Sequence, residues 1–183
     1  MVLGPDGEAL FDLLRLVDTN RSVPNTWGNR AVLLRYDPPP ANLLRFERVV
    51  ELPGGHSKFV VRRHAASGLY VTLSNPTLSP AYTDQRNYLC ICSSPDLVTW
   101  TAGPRALLED DTGLALSPDD SVQFTGFHYV DWQFDGEGGE DIVMAVRTAY
   151  RGAVSYHNSN RITTKTIYKW RDQLGGLSAE ALL

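Results

Sequence analysis

Asp135-Gly136-Glu137, the run Asp141-Ile142-Val143-Met144-Ala145-Val146-Arg147, a polar loop, Asn160-Arg161 and then Ile162-Thr163-Thr164-Lys165-Thr166-Ile167 form one unit of turn, strand, loop and strand. The N-terminus echoes it. Asp6-Gly7-Glu8 precedes an apolar run to Val17, a polar loop, Asn29-Arg30 and the strand Ala31-Val32-Leu33-Leu34-Arg35-Tyr36. The middle follows the same plan: the hairpin Ala66-Ser67-Gly68, the strand Leu69 to Leu73, the loop Asn75 to Gln85, and Arg86-Asn87 opening the next strand. Repetition of this kind is the signature of β-propeller blades, which run to about 40–50 residues plus loop insertions. A β-sandwich whose hairpins merely look alike is the alternative.

The rest of the chain reads the same way. Lys58 to Arg63, Tyr88 to Cys92 and Phe127 to Phe134 are strand-like runs, and Gly, Pro, Asn or Asp bound most of the strands. Helical periodicity is confined to Leu177–Leu183 and to Ala9–Leu16, and the latter reads equally well as a strand. The expectation is an all-β, antiparallel partial propeller of about two and a half blades: a half blade over 1–40, blades over 41–104 and 105–172, and a tail over 173–183. Propellers close with about four to eight blades, so a lone arc would expose sheet faces and edges. The chain is therefore expected to be the C-terminal part of a longer propeller, or to complete a ring by self-association.

The 183 residues are 43 % hydrophobic and 21 % charged, which are globular proportions. A net charge of −4 disfavours nucleic acid and anionic lipid as partners. No apolar run is long enough to span a membrane as a helix. The opening Met1-Val2-Leu3-Gly4-Pro5-Asp6 lacks the basic and apolar regions of a signal peptide, as a truncated chain also would. The two cysteines, Cys90 and Cys92, share a strand face and read as packed thiols. Glu109, Asp110, Asp111, Asp119 and Asp120 form an acidic cluster. It reads as a solvated loop, with structural calcium the weaker option, and no other cofactor is expected.

Several segments carry a resemblance. They are Gly54-Gly55-His56-Ser57-Lys58-Phe59, Leu69 to Pro76, Ser93-Ser94-Pro95-Asp96-Leu97-Val98-Thr99-Trp100, Gly126 to Gly136, Arg147-Thr148-Ala149-Tyr150 and Tyr156-His157-Asn158-Ser159-Asn160-Arg161. Together they resemble sialidase-like propeller proteins over most of the chain, most specifically between 126 and 161. Ser94, Asp96 and Trp100 resemble a shortened Asp box without its Gly, a turn that braces a blade. The Ser-Pro-Asp-Leu-Val-x-Trp pattern also resembles five-bladed furanosidases. A further similarity is to seven-bladed propellers that cleave rhamnose linked to glucuronate, in which His, Tyr and Arg are expected to replace carboxylates. The resemblance implies a protein that cleaves a terminal sugar from an acidic glycan. The alternatives are a lyase eliminating beside a uronate and a non-catalytic glycan-binding module. Proteins of this kind are often exported.

The candidate catalytic residues are Arg147, Tyr150, His157 and Asp131. Arg clamps carboxylates bidentately. Tyr transfers a proton to or from oxygen, and His titrates near neutrality. Asp131 is expected among packed strands, either as an acid catalyst or as a brace. His56, Lys58, Asn75, Arg86, Asn158 and Arg161 are candidates for binding sugar hydroxyls or a carboxylate. Asn160-Arg161 recurs as Asn29-Arg30, which favours a blade-building role for that pair. Trp27, Trp100, Trp132 and Trp170 are expected to pack.

Overall fold

A computed structural model describes residues 1–17, 28–79, 81–110 and 118–175. The fold is all-β with three antiparallel sheets. The first contains β1 (Val2–Leu3), β2 (Leu10–Arg15), β3 (Arg30–Asp37) and β4 (Leu43–Glu51), in that spatial order. The second contains β5 (Val61–Arg63), β6 (Tyr70–Ser74), β7 (Tyr88–Ser94) and β8 (Thr101–Glu109). A short helix, α1 (Pro118–Phe124), leads to the third sheet, where β10 (Asp141–Ala149) lies between β9 (Gly126–Asp135) and β11 (Arg161–Ile167).

The sheets stack face to face. Ala31, Leu33, Val50 and Leu52 of the first sheet and the linker after it pack on Tyr70 and Leu97 of the second. Val71, Leu73, Leu89 and Ile91 pack on Phe127, Val130, Trp132, Ile142, Met144 and Val146 of the third. The middle sheet is therefore covered on both faces, and all five residues of β6 are buried. Burial of apolar surface at these two interfaces drives the assembly. Among the described residues nothing covers the outer face of the first sheet, which is apolar: Leu14 and Val49 are 45 % exposed and Phe46 is 66 % exposed.

Two expected boundaries are displaced. β4 pairs with β3 over eight register positions, so the first sheet has four strands rather than half a blade and extends past residue 40 to Glu51. β8 pairs with β7, so the second sheet runs past residue 104 to Glu109. Ala9–Leu16 resolves as the strand β2. The 58–63 run keeps only Val61–Arg63 as strand, which leaves Lys58 in a loop. The helical reading of Leu177–Leu183 falls outside the described residues, as does Trp27.

Alternating hairpins send the loops to opposite ends of the stack. The short turns at 4–9, 38–42, 64–69, 95–100 and 136–140 gather at one end. In the 95–100 turn, Asp96 Oδ1 accepts the Ser94 hydroxyl and the N–H groups of Val98 and Thr99, while Leu97 takes a φ of 68°. These hydrogen bonds hold the turn between β7 and β8. The described parts of the longer segments after β2, β4, β6, β8 and β10 meet at the other end. Hydrogen bonds tie them together, among them His56 N to Gly28 O, Phe127 N to Arg86 O, Tyr156 N to Gln123 O, and the Asn75 amide to Phe127 O.

Candidate functional site

The long-loop end carries the chemistry. At its base, three asparagine side chains fix the loops. Asn29 accepts the N–H groups of Gly54 and Thr77 and donates to the Thr77 carbonyl. Asn75 is buried, and its amide donates to the carbonyls of Tyr88 and Phe127 at 2.9 and 2.7 Å. Asn160 accepts the Tyr150 N–H and donates to the Tyr150 carbonyl. Sequence reading assigned Asn75 to substrate. Burial between two sheets makes it a brace instead, because a buried amide is stable only when its bonds are made internally.

Above this base lies a compact polar group from three loops. Tyr156 donates its hydroxyl to Asp84 Oδ2, and Arg86 donates to Asp84 Oδ1 at 3.0 Å. The Arg86 guanidinium also lies 5.5 Å from the centre of the Tyr156 ring. His56 Nε2 is 3.9 Å from Asp84 Oδ1, and His56 Nδ1 meets the Gly28 carbonyl. Burial raises the Asp84 carboxyl, but Tyr156, Arg86 and His56 outweigh it and hold it below the usual carboxylate range. Burial pushes the Tyr156 hydroxyl up, and the Asp84 charge adds to that shift. Arg86 is buried to about nine-tenths, the depth at which an arginine requires a partner such as Asp84.

Beside it, Tyr129 stands at a β-bulge in β9, opposite the register shift between Ala145 and Arg147. Its φ of 52° is an uncommon backbone state for a tyrosine. Lys58 Nζ lies 5.9 Å and the Arg147 guanidinium 5.5 Å from its ring centre. Arg147 also donates to the His157 carbonyl, so it braces the loop as well as facing Tyr129. His157 stands edge-on to both tyrosines, with centroids 6.4 Å from Tyr129 and 6.4 Å from Tyr156. His128 lies beneath. Its burial, with the charges of Arg86 and Arg147, drives its pKa down to about 4, so the ring is neutral at pH 7.

The structure thus brings together His56, Lys58, Arg86, Arg147 and His157 from the sequence-derived candidates, with Asn158 on the exposed loop that carries His157. Three candidates sit elsewhere. Tyr150 packs near Phe127 and is capped by the guanidiniums of Arg151 and Arg161 at 5.2 Å each. Arg161 donates to the Tyr150 carbonyl, so this pair braces the loop stem. Asp131 was expected to be buried, but its side chain is 79 % exposed on the outer face of the third sheet, paired with Arg62. That face has no neighbouring sheet among the described residues, so the pleat delivers Asp131 to solvent. Asp84, Tyr156, His128 and Tyr129 were missed as candidates. Asp84 and Tyr156 are 72 positions apart, and only the stacking of loops makes them a pair.

Cys90 and Cys92 are free and buried, with their sulfurs 3.6 Å apart. Among the described residues no group of three His, Cys, Asp or Glu side chains is placed to hold a metal ion. Asp111 of the acidic cluster lies outside them, and Asp119 accepts the Tyr82 hydroxyl. Among the described residues no helix is long and apolar enough to cross a membrane. No protein-family model matches the chain, and comparison with curated proteins and with solved structures finds no match.

Proposed function

We propose that the three sheets are blades of a sialidase-like β-propeller and that the long-loop end cleaves a terminal glycosidic bond in an acidic glycan. The observation that carries this reading is the Tyr156–Asp84–Arg86 group, a phenol hydrogen-bonded to a carboxylate that an arginine holds in place. A tyrosine nucleophile beside a carboxylate is an established way to cleave glycosides of anionic sugars. Tyr156 is a phenol at neutral pH, so its proton passes to Asp84 as its oxygen attacks the anomeric carbon. His157, between the two tyrosines, gives a proton to the departing oxygen. Water then displaces Tyr156 with His157 as base, and Asp84 returns the proton. Lys58 and Arg147 supply positive charge for a substrate carboxylate, with the Tyr129 ring as a platform.

A second reading is elimination beside a uronate. It is favoured by Tyr129 lying near two cations and by a neutral His128 beneath it. One assay separates the two. Acidic oligosaccharides are incubated with the protein, and products are followed by reducing-end release and ultraviolet absorbance. Hydrolysis releases sugar without new absorbance, whereas elimination leaves a double bond conjugated to a carboxylate, which absorbs. Glycan binding with neither product leaves a non-catalytic module and defeats both.

A further inference from the structure

His56 is 5 % exposed, yet its Nε2 has no hydrogen-bond partner among the described residues. Its tautomer is set from the other side. The Gly28 carbonyl can only accept, so Nδ1 carries the proton and Nε2 presents a lone pair when the ring is neutral. The position is tightly held: a Cβ at Gly28, whose φ is 74°, would lie 2.0 Å from Thr77 Oγ1 and 2.9 Å from His56 Nδ1. Nε2 therefore stands 3.9 Å from Asp84 Oδ1 as an acceptor facing an acceptor. That arrangement reverses when the ring takes a proton, because a cation then faces the carboxylate that bonds Tyr156.

We propose that His56 is a positioning residue for the Tyr156–Asp84 pair: neutral, it leaves Asp84 free to receive the Tyr156 proton, and protonated, it ties Asp84 down. The charged and titratable groups acting on it are Asp84 and Arg86 from the β6–β7 loop, with Tyr156 one bond beyond from the β10–β11 loop. Burial lowers the pKa of His56, opposed by the Gly28 carbonyl and Asp84 and assisted by Arg86, so the neutral ring dominates near pH 7. The catalytic meaning rests on the function proposed above, but the coupling itself can be observed without substrate.

The test is histidine and tyrosine side-chain NMR on the full chain, with labelled rings, across pH 4–8. The Tyr156 ring signal is expected to show a step at the midpoint of His56. His56→Gln should erase that step, and Asp84→Asn should erase it while His56 still titrates. A Tyr156 signal with no step at the His56 midpoint, or a step that survives Asp84→Asn, overturns the proposal. The Asp84 variant decides the matter if His56→Gln fails to fold, because the Asp84 side chain is half exposed. Coupling in a chain that cleaves no glycan defeats the function and leaves the role of His56 standing. In a chain that cleaves, His56→Gln should flatten the acid limb of kcat and leave KM unchanged.

Discussion

Tyr156 carries the most specific expectation at the level of single residues. Tyr156→Phe keeps the ring under Arg86 and removes only the hydroxyl that meets Asp84. Turnover should fall by about 10²-fold or more with the fold intact, as for loss of a nucleophile. Measurement of kcat and far-ultraviolet circular dichroism on one preparation checks both halves. Arg147→Lys keeps the charge but loses the planar fork, and most turnover should go with it; unchanged kinetics would remove Arg147 from the site. Asn75→Ala belongs to a different class. It strips a buried donor from the Tyr88 and Phe127 carbonyls and should cost roughly 2–4 kcal/mol of unfolding free energy in a urea titration. Arg147, His157 and Lys58 were legible in the sequence because polar loop residues beside strand ends reach the surface. His56 and Asn75 were read as candidates for binding sugar hydroxyls or a carboxylate, and the structure buries both. Burial depends on which sheet stacks over a loop, and one stretch of sequence does not hold that information.

Among the elements, β9 shows where alternation fails. Strict period two places Tyr129, Asp131 and Gln133 on one face, and Asp131 and Gln133 are indeed exposed together. The bulge sets Tyr129 and Val130 together against Val146, and Tyr129 is turned toward Lys58 and Arg147 instead of following Asp131 and Gln133 into solvent. No Gly or Pro marks that bulge, so the sequence concealed it. The hairpins were legible because Gly68 and Gly136 adopt positive φ at their turns. β4 was not, since its Leu43-Leu44-Arg45-Phe46-Glu47-Arg48 run lacks clean alternation. The Ser94–Trp100 turn gives an element-level prediction. Burial raises the Asp96 carboxyl, but hydrogen bonds from Thr99, Val98 and Ser94 bring it below its ordinary value. The turn's contribution is therefore complete above the unfolded pKa of about 4 and is lost as pH falls through the lower folded value. Asp96→Ala should cost about 1–2 kcal/mol at pH 7, and the deficit should shrink at pH 3 in thermal unfolding.

The whole molecule has a pH signature of the opposite residue type. His128 has a folded pKa of about 4 against an unfolded value of about 6.5, so the unfolded chain binds the extra proton. Its contribution to stability is fully present above pH 6.5 and drains away toward pH 4, by roughly 3 kcal/mol. Urea midpoints at pH 7.5 and pH 5 should differ in that direction, and His128→Gln should reduce the difference. The all-β class and the repeated hairpins were readable from turns and alternation. The number of strands in each sheet was not, because strand pairing is a long-range choice made by stacking.

The two central strands of the middle sheet, β6 and β7, have no solvent side. A saturation scan of this chain should therefore give a banded tolerance map. Positions in β6 and β7 should reject nearly every change of size or polarity, since both faces meet packed neighbours. Alternate positions of β2, β3 and β10 should accept polar replacements on the faces turned away from the stack.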